Sequence, residues 1–125
     1  QAYYDCLRLD TNGHLAETAT SNLFFLKDGR FHTPALDTGI LPGVTRAVLL
    51  RDRDLQIVEG HFTPETLHEA EAVFVTNATS GLKIIERIDG FSSGQSTQYS
   101  VTSEALSALR SALLSAQDSC ALSLI

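Results

Sequence analysis

The sequence predicts one α+β domain in which a mixed, largely antiparallel sheet is flanked by helices. Three observations favour this class. Two hairpin signals, Asn12-Gly13 and Asp28-Gly29, each separate a pair of short strand-like segments. Two continuous apolar runs, 72–76 and 84–88, are typical of buried strands. The second half of the chain also carries apolar residues at helical spacing, so helices must cover part of the sheet.

The first third of the chain predicts an antiparallel meander. The alternation of polar and apolar residues favours strands on both sides of each hairpin turn. The predicted strands are Tyr3–Leu9, His14–Glu17, Ser21–Lys27 and Arg30–Thr33.

The remaining elements follow from start signals and periodicity. Val44, Val48 and Leu49 predict a helix from Val44 to about residue 53. Thr63 and Pro64 are typical of a helix N-cap and first helical position. A short strand is expected at 55–58, a loose loop at 92–98, and an amphipathic helix at 103–116.

Composition limits the class of partner. The 125 residues fit one domain, and the net charge of −6 argues against nucleic acid and anionic membranes, which require clustered cations. No apolar run reaches the ~18 residues of a membrane span.

Cys6 and Cys120 fit no metal spacing and suggest free thiols in a cytoplasmic protein. Because the chain lacks methionine and begins as a strand, we expect a piece of a larger protein, with a processed mature chain as the alternative.

Two glycine-containing corners could bind an anion. Pro42-Gly43 leads into the helix at Val44, where unpaired N–H groups and the Thr45 hydroxyl would face a ligand. The turn Thr76–Gly81 follows a buried strand and offers further hydroxyl, amide and N–H donors. The alternatives are a simple loop-to-helix junction and an ordinary Asx or Ser/Thr turn.

Glu17 ends a predicted strand beside small polar residues. A carboxylate in such a place could keep a heterocyclic nitrogen protonated, and a solvent-facing side chain is the alternative. Lys27 and Lys83 lie beside turns or glycine and show no sign of an activated amine. The four histidines are scattered without metal spacing, so no metal is predicted. The chain therefore shows binding groups without a catalytic nucleophile.

Five motifs occur in a familiar order: E-x-x-x-S-N-L-F, x-D-G-x-x-x-T-P, L-P-G-V-T-R, E-A-x-x-V-F-V-T-N-A and I-D-G. Together they resemble the fold-type IV pyridoxal-phosphate enzymes, which are the class-IV aminotransferases. That family includes branched-chain aminotransferase, D-amino-acid aminotransferase and aminodeoxychorismate lyase. The likeness runs from about Tyr3 to Gly90. It implies the pseudo-barrel of the family's C-terminal domain.

The resemblance implies a role for several residues. Glu17 matches the acid that pairs with the pyridine nitrogen of pyridoxal 5'-phosphate. Leu41 matches the apolar residue that packs against the cofactor ring, and the start of the helix matches the part of the family that binds the phosphate. The phosphate-side residues are Gly43, Val44 and Thr45 at the helix start and Asn77, Ala78 and Thr79 on the second loop. The substrate would be an amino acid or an aminodeoxychorismate-type molecule, and the intact enzyme would be a homodimer.

One departure limits the expected activity. The Schiff-base lysine and the N-terminal domain of the family would lie upstream of Gln1. We therefore expect residues 1–125 to be a single C-terminal, cofactor-cradling domain that is inactive alone and holds cofactor weakly, if at all. The motif Thr76-Asn77-Ala78 favours the lyase branch over the aminotransferases. The alternatives are a degenerate, non-catalytic paralogue that binds a phosphate-bearing ligand or a protein partner, and a stable domain without function of its own.

Overall fold

A five-stranded sheet organises the fold. The computed structural model describes residues 5–40, 43–77, 81–91, 94–99, 104 and 106–114. The strands are β1 (Leu7–Leu9), β2 (Leu15–Thr18), β3 (Asn22–Lys27), β4 (Arg30–Pro34), β5 (Val58–Gly60), β6 (Ala72–Asn77), β7 (Gly81–Ile85), β8 (Arg87–Ile88) and β9 (Thr97–Gln98). The helices are α1 (Val44–Arg51) and α2 (Pro64–His68), with a 3-10 turn at Leu36–Thr38 and a further helical stretch at 106–114.

The strand order of the main sheet is β5-β4-β3-β6-β7. Every neighbouring pair is antiparallel except β4 and β5, which run parallel. The remaining strands form two antiparallel ribbons, β1 with β2 and β8 with β9. The predicted α+β class with a mixed, largely antiparallel sheet is confirmed.

Both predicted hairpin turns are present. Asp28 and Gly29 have φ angles of 53° and 73°, the positive values that a tight two-residue turn between twisted strands requires. At the other turn Gly13 has a φ of 80°, and the Asp10 carboxylate accepts hydrogen bonds from the backbone N–H groups of Asn12 and His14, both at 2.9 Å. The two hairpins are therefore as predicted, but their four strands do not form one continuous meander. β1 and β2 make a separate ribbon, and β3 pairs with β4 and β6.

The core lies on both faces of the two central strands. Phe24 of β3 and Phe74 of β6 pack on one face with Leu49 of α1 and Leu109 of the last helical stretch. The opposite face packs against the β1–β2 side of the molecule and α2; its buried members include Leu15, Leu23, Phe25, Leu67, Val73 and Val75. Burial on both faces explains why these strands are continuously apolar, and each such side chain contributes about 1.5–3 kcal/mol.

Further details differ from the sequence-based expectations. The loop expected at 92–98 includes β9 (Thr97–Gln98), which pairs with β8. The strand expected at 55–58 lies at Val58–Gly60, because Gln56 has a φ of 49° and cannot continue an extended segment. The apolar run at 84–88 is divided at Glu86 between β7 and β8. Val44 was expected on the apolar face of α1, but it is 75% exposed and the buried positions of the helix are Arg46 and Leu49.

Candidate functional site

A polar cleft of about 220 Å³ opens at one end of the sheet. There β2 ends, β3 begins, β6 ends and α1 begins, so four separate segments supply its walls. The lining residues are Arg8, Glu17, Ala19, Thr20, Ser21, Asn22, Gly43, Val44, Thr45, Thr76 and Asn77.

Five of the predicted site residues meet in this cleft. Glu17, Gly43, Val44, Thr45 and Asn77 all line it, although up to 60 positions of sequence separate the first from the last. The other three, Leu41, Ala78 and Thr79, lie outside the described residues. The geometry brings the residues together; their individual roles remain predictions.

Glu17 is held on the cleft wall by the β1–β2 ribbon. It is only 8% exposed, and it pairs in register with Arg8 on the neighbouring strand. An Arg8 guanidinium nitrogen lies 3.7 Å from a Glu17 carboxylate oxygen, while Arg8 itself is mostly exposed. The carboxylate therefore faces a small polar cavity instead of bulk solvent, which contradicts the alternative of a solvent-facing side chain.

The turn between β2 and β3 is fixed by Asp5. Its carboxylate accepts hydrogen bonds from the Thr20 hydroxyl at 2.5 Å and from the Ala19 N–H at 3.0 Å. Burial acts to raise the pKa of Asp5, but the hydrogen bonds from Thr20, Thr18 and two backbone N–H groups outweigh it and hold the pKa below its usual value. An ionised Asp5 thus braces the segment that carries Ser21 and Asn22 into the cleft.

The start of α1 is open toward the cleft. Gly43 is the N-cap and makes no side-chain capping bond, and the first intrahelical bond runs from the Ala47 N–H to the Gly43 carbonyl at 3.0 Å. The N–H groups of the first turn therefore have no intrahelical acceptor, and the helix dipole adds positive potential there. Gly43 packs closely on β3: a Cβ there would lie 2.1 Å from the Asn22 side-chain oxygen, so any other residue would force that side chain or the helix start to move.

Arg46, in the first turn of α1, fixes the helix to the sheet. It is 3% exposed, and its guanidinium donates to the Pro34 carbonyl at 3.0 Å and to the Glu59 carboxylate at 2.7 Å. These partners lie at the ends of β4 and on β5, the parallel pair of the sheet. Sequence reasoning missed this residue because arginine is rarely buried.

The end of β6 supplies two more polar groups. The Asn77 side-chain amide donates to the Ser21 hydroxyl at 2.8 Å, which ties β6 to the start of β3. Thr76 is 1% exposed, and within the described part of the chain its buried hydroxyl has no hydrogen-bond partner. Sequence reasoning placed Thr76 in a candidate anion-binding turn without giving it a role, and it did not single out Ser21. The strand pairing that brings both to the cleft is not visible in a single sequence.

The cleft fits part of a phosphorylated heterocycle. An uncapped helix start and an unpartnered buried hydroxyl suit an oxyanion, and a shielded carboxylate suits a protonated ring nitrogen. Neither lysine of the chain lines the cleft: Lys27 pairs with Glu69 at 3.0 Å, and Lys83 lies on β7. A bound cofactor would therefore have no amine from this chain beside it in the structure.

A second, larger cavity of about 730 Å³ lies beside β1 and β8. Its walls are mainly apolar, including Leu7, Val73, Val75 and Phe91, and they also contain charged residues such as Arg87. Among the described residues no three His, Cys, Asp or Glu side chains come together as metal ligands. No helix in the described ranges is long and apolar enough to cross a membrane.

Comparison with known proteins agrees with this geometry. The family model for class IV amino-transferases matches residues 1–88. Over 96 residues the chain is 30% identical to the branched-chain-amino-acid aminotransferase of Escherichia coli, a match that covers 74% of this chain and 31% of that enzyme. The chain thus spans about a third of the length of the curated relatives it matches.

Two solved structures show the same fold. A protein described as a 4-amino-4-deoxychorismate lyase from Legionella pneumophila matches 91% of this chain and 41% of its own, with a TM-score of 0.75 and 29% identity. An aminotransferase from Brucella abortus, solved with its cofactor pyridoxal phosphate, matches 87% of this chain and 39% of its own, with a TM-score of 0.68 and 31% identity. The chain belongs to the class IV amino-transferase family of fold-type IV pyridoxal-phosphate enzymes.

Proposed function

We propose that this chain is the cofactor-cradling domain of a class-IV aminotransferase or an aminodeoxychorismate lyase-type enzyme. One observation carries the proposal: five predicted site residues from three separate segments line one polar cleft. Chance placement would not bring residues so far apart in the sequence to one cavity. Both branches of the family occur among the similar proteins, so the choice between lyase and aminotransferase stays open.

The two ends of the cleft would bind different parts of the cofactor, the ring nitrogen at one end and the phosphate at the other. Glu17 would accept a hydrogen bond from the protonated ring nitrogen and hold the proton there, in a site shielded from water. The N–H groups of Val44 and Thr45, with the Thr45 hydroxyl and Asn77, would bind the phosphate. Gly43 allows the Asn22 side chain to pack against the helix start. The bound cofactor supplies the electron sink for amino-acid chemistry.

The attacking amine is proposed to come from outside these 125 residues. Lys27 and Lys83 do not line the cleft, and the chain covers only about a third of its relatives. A further domain with the lysine would complete the intact enzyme, which we propose to be a cytoplasmic homodimer. Its substrate would be an amino acid or an aminodeoxychorismate-type molecule, as the names of the similar proteins suggest.

Titration of the chain with two probes tests the proposal. Pyridoxal phosphate engages both ends of the cleft, whereas inorganic phosphate engages only the helix end. Replacement of Glu17 by Gln should weaken pyridoxal phosphate binding about tenfold, because a hydrogen bond to a charged group is lost. Phosphate binding should not change. Visible absorption follows the first probe and calorimetry the second.

Glu69→Gln is the matched control, since that carboxylate pairs with Lys27 and does not line the cleft. Equal pyridoxal phosphate affinity in wild type and Glu17→Gln would refute the role of Glu17. Borohydride reduction followed by peptide mapping should give no specific label. A label on Lys27 or Lys83 would show that this chain supplies its own amine. Pyridoxal phosphate binding that depends on neither Glu17 nor the start of α1 would favour a non-catalytic paralogue.

A further inference from the structure

Thr76 is a buried polar residue on a strand face that is otherwise apolar. It shares that face of β6 with Ala72 and Phe74, which belong to the core cluster around Phe24 and Leu49. Its hydroxyl is fully buried and, in the described residues, has no hydrogen-bond partner. A valine would have the same shape and avoid the cost of burying an unsatisfied hydroxyl. Stability of the fold alone therefore does not explain a threonine here.

The position of Thr76 connects it to the start of α1. It pairs directly with Asn22 across β3 and β6, and the Asn22 side chain lies against Gly43, the N-cap of the helix. All three residues line the polar cleft together with Val44 and Thr45. The unpartnered hydroxyl and the open helix end thus belong to one small cavity, although they come from different elements.

We propose that Thr76 is a further binding residue of the cleft, whose hydroxyl donates to the oxyanion held at the start of α1. The ligand group is a phosphate monoester, because the site offers hydroxyl and N–H donors on several sides and a phosphate has oxygens to accept from each. This inference rests on the proposed function and adds a residue from β6 to it. The hydroxyl gains its missing partner when the phosphate binds.

Valine and serine at position 76 separate binding from stability. Thr76→Val keeps the shape and removes the hydroxyl, so its melting temperature should equal or exceed that of the wild type. Its affinity for inorganic phosphate should fall by roughly 10- to 100-fold, the range for a lost hydrogen bond to a charged group. Thr76→Ser is the matched control: it retains the hydroxyl and should retain phosphate affinity while losing some stability. Calorimetric titration and thermal unfolding of the 125-residue chain measure both quantities.

Each other outcome has a definite meaning. A lower melting temperature for Thr76→Val would show that the hydroxyl is structural, for example through a buried water, and would overturn the inference. Unchanged phosphate affinity in Thr76→Val, with Glu17→Gln still weakening pyridoxal phosphate, would overturn the inference and leave the proposed function intact. A wild-type chain that binds neither probe, even at concentrations high enough to detect weak binding, would overturn both.

Discussion

At the scale of single residues, Arg46 and Glu59 form an ion pair in which one side chain is buried and the other is partly exposed. Arg46 is 3% exposed and Glu59 is 46% exposed. Water could therefore solvate the Glu59 carboxylate if Arg46 were removed, but it could not easily solvate the Arg46 guanidinium if Glu59 were removed. The Arg46 guanidinium also satisfies the Pro34 carbonyl, and this bond holds the first turn of α1 against β4. The consequences of removing either charge should therefore be unequal.

Replacement of Glu59 by Leu should destabilise the chain more than replacement of Arg46 by Met. The first change leaves a buried cation without its counterion, whereas the second leaves a carboxylate that water can solvate. We expect Arg46→Met to cost about 1–3 kcal/mol, mainly through the lost partner of the Pro34 carbonyl. Urea unfolding of both variants gives the comparison.

The double variant provides the control for this pair. Once Arg46 is gone, Glu59→Leu should add little, so the double variant should be about as stable as Arg46→Met alone. Equal costs for the two single changes would mean that water reaches the guanidinium, and the assignment of Arg46 as the buried anchor of α1 would be wrong.

At the scale of elements, the start of α1 depends on a close fit between a glycine and a side chain. Gly43 has a φ of −71°, so the backbone there would tolerate other residues. The constraint is spatial, because a Cβ would lie 2.1 Å from the Asn22 oxygen, and Asn22 is buried. This contact therefore limits how closely the start of α1 can approach β3.

Gly43→Ala should destabilise the chain by about 1–3 kcal/mol, the usual cost of overpacking, and should weaken phosphate binding because the helix start must move. Asn22→Ala removes the side chain that the new Cβ would meet. In the double variant the cost of Gly43→Ala should become much smaller, a coupling that a double-mutant cycle of unfolding free energies measures. Additive costs would show that the contact does not limit the helix position.

Sequence patterns and the family resemblance predicted the local elements and five of the residues that line the cleft. The Asn-Gly and Asp-Gly turns and the buried strands follow from rules that act within a few residues. The role predicted for Glu17 came from the family resemblance instead. The parallel pairing of β4 with β5 and the meeting of Thr76 with Asn22 depend on strand register, which no local rule fixes. Arg46 was hidden for a related reason: its burial follows from where α1 packs and not from its own side chain.

At the scale of the whole molecule, β3 is the central strand of the described five-stranded sheet, and β6 is its neighbour on one side. Their side chains fill both core faces, with Phe24, Phe25, Val73 and Phe74 fully buried. The cleft is built where β3 begins and β6 ends. Its polar groups therefore extend from the most constrained part of the molecule, while Arg8 and Glu17 come from a two-stranded ribbon.

Native-state hydrogen exchange should reveal this difference in rigidity. We expect the backbone amides of Leu23–Phe25 and Val73–Val75 to exchange only on global unfolding, because every strand bond around them is shielded by core on both faces. Amides of the short β1–β2 ribbon, which carries Glu17, should exchange through local opening, with lower protection. The measurement is exchange resolved by residue at low denaturant. If the ribbon were as protected as the central strands, the molecule would open as one unit, and the Glu17 side of the cleft would be as rigid as the phosphate side. If the central strands opened first, the site could not owe its geometry to them, and the proposed role of Thr76 would lose its structural basis.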